Sequence, residues 1–169
     1  MSTASGREGP VLIAVDFSED SRVALLWGCA EAARWKLPVT ILHVVHVPAE
    51  NPDYYHQETE KIVRPLGDIA EDRMKEFLEQ VLGENPHRAA NEKAGLESRL
   101  VKGIPATRII EVAKNIGAGQ IVMGSRGQTG LKHLLLGSKA ERVVQMARIP
   151  VTIIKAEKSR GKKDKKKKS

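Results

Sequence analysis

Two segments of this 169-residue chain combine side chains and glycines in ways that chemistry can use. The first is Asp16-Phe17-Ser18, an acid and a hydroxyl directly after the apolar run Val11-Leu12-Ile13-Ala14-Val15. The second begins Gly124-Ser125-Arg126-Gly127-Gln128-Thr129-Gly130 and continues through Leu131 to Leu136 before Gly137-Ser138. The glycines at 124, 127 and 130 permit backbone conformations and close approaches that a Cβ forbids. Gly137-Ser138 sits where a helical pattern starts, so free N–H groups and the positive end of the helix dipole face outward there. Ser138 adds a hydroxyl able to bond a phosphate oxygen or assist a metal ion, and Arg126, Lys132 and His133 bring positive charge nearby. The set suits a phosphate cradle; on composition alone, an ordinary turn before a capped helix fits it as well.

Known templates narrow the chemistry. The pattern GxxxxGK[ST] is absent, because Thr129 stands five residues after Gly124 and Gly137 is followed by Ser138-Lys139. The dinucleotide pattern GxGxxG fails too, since these glycines run GxxGxxG. A phospho-acceptor arrangement would need an aspartate after the third strand, where Lys102-Gly103 stands instead. His43 and His46, three apart on a strand, point to opposite faces and make no metal site. The single Cys29 forms no internal disulfide and reads as a small buried residue on a helix. Hydrolysis would call for a positioned base and a well-held Mg²⁺. Asp16 is the one carboxylate expected near the cradle; Glu19 and Asp20 read as first-turn charges opposing the helix dipole.

These segments must be held by the elements around them. Val11–Val15 reads as a strand buried on both faces, followed by a helix capped by Ser18 that runs to about Lys36 and stops before Pro38. Val39–Val47 reads as a second strand, and residues 48–65, with Pro48, Pro52, Pro65, Tyr54 and Tyr55, as irregular. Leu66, Ile69, Ala70, Met74, Phe77, Leu78, Val81 and Leu82 make the apolar stripe of a long helix that packs in the core. A less regular third strand covers Leu96–Val101. A helix opens at Ile104-Pro105 and ends at Gly117. A fourth strand covers Ile121–Met123, a helix begins at Gly137-Ser138, and a fifth strand covers Pro150–Ile154. Trp27 and Trp35 read as packing residues of the first helix. Five strands alternating with four helices predict one α/β domain: a doubly wound, open sheet of five parallel strands with helices on both faces. Ligands of such sheets bind at the carboxyl ends of the strands, where both chemical segments fall.

Charge divides the chain. The net charge is +7, yet eight basic residues and one acid lie between Lys158 and Ser169, leaving the rest balanced. The expected organisation is a disordered stretch at 1–9, a domain over 10–156 and a disordered Lys-rich tail over 157–169. That tail is expected to touch anionic polymers weakly and without specificity. No apolar run approaches the roughly 20 residues of a membrane span. The first ten residues lack the apolar core of a signal peptide, and the expected location is the cytoplasm.

The spacing that fits is G-x2-G-x9-G-[ST], at Gly124, Gly127, Gly137 and Ser138. It resembles the nucleotide-binding motif of the universal stress protein family. The resemblance extends over about residues 10–155, through VLIAVDFSEDSRVALLWGCAEA, VTILHVV, VKGIPATRIIEVAK and IVMGSRGQTGLKHLLLGSKAERVVQMARIPVTIIK. It implies a strand order of 3-2-1-4-5 and membership of the ATP-binding branch. By this resemblance Asp16, beside Ala14 and Val15, meets the ribose or adenine, and Val44 lines the adenine pocket. Met123 and Gly124 close over the nucleoside, while Gly127, Gly137 and Ser138 hold phosphate. Lys139 stands next to them where relatives carry a small or aliphatic residue, and Mg²⁺ would arrive with ATP near Asp16 and Ser138. Gly119-Gln120 also departs from the family's pattern, with an expected effect on sheet packing. The resemblance further implies a homodimer through the last strand, Pro150 to Ile154, and a regulatory role through an unidentified protein partner. Two other classes of reading stay open: a slow ATPase or nucleotide-dependent phosphotransferase, and a nucleotide-independent interaction protein acting through its basic tail.

Overall fold

The computed structural model describes residues 8–46, 66–127 and 136–157. Tyr54, Tyr55, Thr129, Gly130, Lys132, His133, the segment 1–7 and the Lys-rich tail beyond 157 lie outside the described residues. The elements run β1 (Val11–Ala14), α1 (Glu19–Trp35), β2 (Val39–His46), α2 (Leu66–Leu82), α3 (Arg88–Ala94), β3 (Leu96–Gly103), α4 (Pro105–Asn115), β4 (Gln120–Gly124), α5 (Ser138–Met146) and β5 (Val151–Ile154). All five strands are parallel, in the order β3-β2-β1-β4-β5. The order reverses between β1 and β4, which is where an open parallel sheet has a crevice at its carboxyl edge.

Alternation along the central strands sends side chains to two cores. Val11, Ile13 and Val15 pack with α1 and α2, through Ala24, Leu25, Cys29, Met74, Phe77 and Val81. Leu12 and Ala14 pack with α4 and α5, through Ala106, Ile109, Ala113, Ala140 and Val143. Ser18 caps α1 as the sequence leads one to expect, its Oγ accepting from the Ser21 N–H at 3.2 Å. Lys36 closes the helix in the left-handed conformation at φ 55°. Gly28 lets α1 lie close over β1, since a Cβ there would come within 2.6 Å of Ile13 Cδ1.

Cys29 is fully buried on the same helix face, and burial pushes its thiol pKa up to about 12. The native protein is therefore expected not to react with a thiol-specific disulfide reagent at about pH 8, and to react only on unfolding. Rapid stoichiometric labelling of the folded chain would contradict this packing.

The structure departs from the sequence reading in several places. A fifth helix, α3, precedes β3. Its sequence, RAANEKA, carries no apolar stripe, so periodicity gives no sign of it. Strand β3 reaches Gly103 rather than Val101 and lies at the sheet edge, with Glu97, Ser98 and Arg99 exposed, which explains its imperfect alternation. Trp27 and Trp35 are less covered than core packing would make them, 37% and 49% exposed. Trp35 instead lies 5.8 Å beneath the Arg34 guanidinium. Ile69 also leaves the expected core stripe of α2. The unusual Gly119-Gln120 pair does act in the sheet: Gln120 Nε2 donates to Thr152 Oγ1 at 2.7 Å, and a Cβ at Gly119 would strike the Glu8 carbonyl.

Candidate functional site

The strand ends at the β1–β4 crevice enclose a cavity of about 320 Å³, a size that suits a small molecule. The ten residues that the resemblance assigns to a nucleotide line it, as does Arg126, whereas Lys132 and His133 lie outside the described residues. Ala14, Val15 and Asp16 come from the end of β1, and Val44 from β2. Met123 and Gly124 end β4, Arg126 and Gly127 follow it, and Gly137, Ser138 and Lys139 open α5. The apolar wall is completed by Leu42 of β2, Pro105 and Ile109 of α4 and Ala140 of α5. Pairing of β1 with β2 ends at Ala14–Leu42, followed by the Val15 N–H donating to the Leu42 carbonyl at 2.8 Å. Strand β2 continues to His46 against β3 alone, so Val44 passes the end of β1 with its main chain facing the cavity.

A strained turn sets the position of Asp16. Phe17 adopts a left-handed conformation, φ 64°, which an aromatic residue rarely takes. Its ring is held 4.2 Å from the His43 ring, edge-on to Phe77 at 5.3 Å and 4.9 Å beneath the Arg73 guanidinium. Asp16 Oδ1 accepts the Ser18 N–H at 3.1 Å, and the Asp16 N–H donates to Ser21 Oγ at 3.3 Å. His43 Nδ1 lies 2.8 Å from the Val15 carbonyl, which can only accept, so this nitrogen carries the proton. Burial, together with the charges of Arg73 and Lys139, holds the His43 pKa below its ordinary value against the opposing pull of the Val15 bond and Asp16. His43 also lines the cavity, a place that the two-faced reading of a strand histidine did not anticipate.

Behind the glycine loop stands a carboxylate that the sequence reading misassigned. Asp20 is not a solvated first-turn charge but 5% exposed. Its Oδ2 accepts the Ser125 hydroxyl at 2.6 Å, the Arg126 N–H at 3.1 Å and Arg126 Nε at 3.3 Å. Its Oδ1 accepts the Ala156 N–H at 3.1 Å and Arg126 Nη2 at 3.4 Å. Burial alone would raise its pKa, yet these hydrogen bonds and the Arg126 charge hold it below the usual carboxylate value. Position 20 lies one turn before Ala24 on the stripe that continues through Gly28 and Ala32, and that phase was the signal for an inward-facing acid. The partnership also changes Arg126, whose guanidinium is bound to Asp20 rather than free to face a ligand.

The glycines work by close approach. None of Gly124, Gly127 or Gly137 has a positive φ. A Cβ at Gly124 would come within 2.9 Å of the Asp20 main chain and the Ser21 nitrogen, and one at Gly127 within 2.8 Å of Asp16 Oδ2. Gly137, rather than Ser138, is the N-cap of α5, and its N–H donates to the Ser125 carbonyl at 2.7 Å. The first α-helical bond is that of the Glu141 N–H to the Gly137 carbonyl, so the amides of Ser138, Lys139 and Ala140 precede it at the cavity's edge. Among the described residues no three His, Cys, Asp or Glu side chains converge to hold a metal ion, and no helix is long and apolar enough to cross a membrane.

Comparison with known proteins identifies relatives of this arrangement. Residues 9–155 match the model of the family described as the universal stress protein family. Universal stress protein YxiE of Bacillus subtilis is 30% identical over 145 residues, which cover 86% of this chain and 97% of that protein. Universal stress protein MJ0531 of Methanocaldococcus jannaschii is 35% identical over 88 residues, 52% of each chain. The chain thus spans about half the length of that relative. The solved structure of MJ0577 from the same organism superposes with a TM-score of 0.65 at 27% identity, covering 89% of this chain and 98% of that one. Two further structures share the fold at lower identity. One is a universal stress protein in complex with cAMP (19%, TM-score 0.57, covering 87% of this chain and 96% of that one). The other is an Archaeoglobus fulgidus protein in complex with dAMP (24%, TM-score 0.52, covering 86% and 97%).

Proposed function

The chain belongs to the universal stress protein family, and from that premise we propose that its strand-end cavity binds an adenine nucleotide, ATP with Mg²⁺ in the full complex. The observation that carries the proposal is the convergence of five separate chain segments on one cavity with an apolar end and an amide-rich end. Leu42, Val44, Pro105 and Ile109 offer an apolar slot for a base, and the Val44 main chain supplies a donor and an acceptor to its edge. Asp16 offers a carboxylate to ribose hydroxyls. Gly127 and Gly137 leave room for phosphate beside the first amides of α5. Proteins of this fold have been solved with cAMP and dAMP, which supports an adenine ligand here.

Asp16 and Ser138 contribute a carboxylate and a hydroxyl, too few to hold Mg²⁺ without the nucleotide's own phosphates. When bound, the ion would neutralise phosphate charge. We read the site as one of binding with at most slow hydrolysis. The second carboxylate beside the loop, Asp20, is engaged by Ser125, Arg126 and Ala156 and is not available to activate water. The proposed module is cytoplasmic, and its nucleotide state sets its conformation or its protein partner. Its proposed homodimer pairs β5 with β5. This edge carries the uncharged Val151-Thr152-Ile153-Ile154, whereas the opposite edge, β3, carries Glu97, Arg99 and Lys102.

Calorimetric titration of the full chain with ATP and Mg²⁺ tests the reading. Ser138→Asp puts a carboxylate at the phosphate end and is expected to weaken ATP at least about tenfold, through like-charge repulsion and lost amide access. Unchanged affinity in this variant would place any nucleotide elsewhere.

A further inference from the structure

We propose that Lys139, and not Arg126, is the cation that reads the phosphate chain, so that the site prefers nucleoside triphosphates over monophosphates. This inference rests on the nucleotide reading of the cavity. Both residues line it, and by charge alone they are equivalent. Their surroundings divide them. The Arg126 side chain is only 16% exposed, and its guanidinium is bound through Nε and Nη2 to Asp20. Turning it toward a ligand would leave a buried carboxylate without its counter-charge, which is strongly unfavourable.

Lys139 is exposed and makes no ion pair among the described residues. It sits in the first turn of α5, next after Ser138, where the helix dipole disfavours a cation. A residue that works against its local structure while lining a cavity marks a site where another charge is expected. The field of its ammonium also reaches across the cavity: after burial and Arg73, it is among the causes that lower the pKa of His43 on β2. Asp16, Arg73 and Lys139 are the charges acting on that imidazole, two positive and one negative. A polyanion lying between Asp16 and α5 therefore meets an ammonium that has no acidic partner among the described residues. Each added phosphate brings negative charge nearer to it. A monophosphate, anchored by the same nucleoside contacts, gains less.

The experiment is calorimetry of the full chain with AMP, ADP and ATP, for the wild type, Lys139→Met and Arg126→Met. The wild type is expected to bind in the order ATP, ADP, AMP. Lys139→Met is expected to lose about tenfold in ATP affinity, the worth of one charge-assisted contact, while AMP changes less than about twofold. Arg126→Met is expected to weaken AMP and ATP alike, because it loosens the loop without removing the phosphate-facing charge. Equal losses for AMP and ATP in Lys139→Met, or collapse of the ATP preference in Arg126→Met, would overturn the assignment.

Inorganic triphosphate separates this inference from the nucleotide reading. If no adenine nucleotide binds but triphosphate raises the melting temperature of the wild type and not of Lys139→Met, the lysine's role stands and the nucleoside fails. If triphosphate stabilises both proteins equally, the lysine's role fails whatever nucleotides do.

Discussion

Replacing Asp20 with alanine is expected to destabilise the protein by about 3–5 kcal/mol, the range for removing one partner of a buried ion pair. The change strands several groups at once. The Arg126 guanidinium loses its counter-charge, while the Ser125 hydroxyl and the amides of Arg126 and Ala156 lose their acceptor. A loss of this size is a large part of the roughly 5–15 kcal/mol that holds an ordinary domain together. Asp20→Asn keeps the shape and one acceptor oxygen but gives up the charge, and is expected to cost clearly less than alanine. Urea unfolding at neutral pH measures both. A loss below about 1 kcal/mol for Asp20→Ala, as for an exposed first-turn acid, would contradict the network.

The same carboxylate carries a pH dependence of known sign. Its folded pKa lies below its unfolded value, so the folded state binds fewer protons in that interval. The stabilisation is complete above the unfolded value near about 4 and is lost as pH falls through the folded value. Unfolding series taken down to about pH 3 should fall less steeply for Asp20→Asn than for the wild type.

Gly127→Val is expected to abolish nucleotide binding, with a fall in ATP affinity of at least about 100-fold, near 2.7 kcal/mol. The reason is local. The added Cβ would stand 2.8 Å from Asp16 Oδ2, and the two methyl groups beyond it would occupy the space between Asp16 and the start of α5. The proposed ligand must pass through that space from its ribose to its phosphates. Gly127 has no positive φ and lies outside both apolar cores, so the variant should fold with a melting temperature close to the wild type's. Calorimetry with ATP, checked against the melting temperature, separates a blocked cavity from a damaged fold. Wild-type affinity in a folded Gly127→Val protein would remove the nucleotide from this cavity.

The architecture was legible because buried parallel strands write themselves as uninterrupted apolar runs. VLIA and VTIL are buried throughout, and the helices between them carry stripes on one side. Strand β3 was harder because an edge strand has less apolar surface to hide, and α3 was invisible because its one buried residue is Asn91. Cavity-lining residues emerged because motif spacing and the strand-end rule agree on place. What those residues touch was not legible. Asp20 and Glu19 look alike in sequence, yet their side chains differ by about a quarter turn of helix, which sends only Asp20 inward. Arg126 looked like a free cation because its partner lies 106 residues away. Phe17 gave no sign of a left-handed backbone, which is sustained by contacts from β2 and α2.

Adenine-nucleotide binding at the β1–β4 crevice is read most plainly in amide NMR spectra of the isotopically labelled full chain, recorded as ATP and Mg²⁺ are added. Saturable shifts are expected, largest at Val15, Asp16, Gly127, Ser138 and Lys139, with little change at the opposite, amino-terminal end of the strands around Thr40 and Gly95. Spectra that stay unchanged at millimolar ATP, or shifts concentrated away from the β1–β4 crevice, would contradict it.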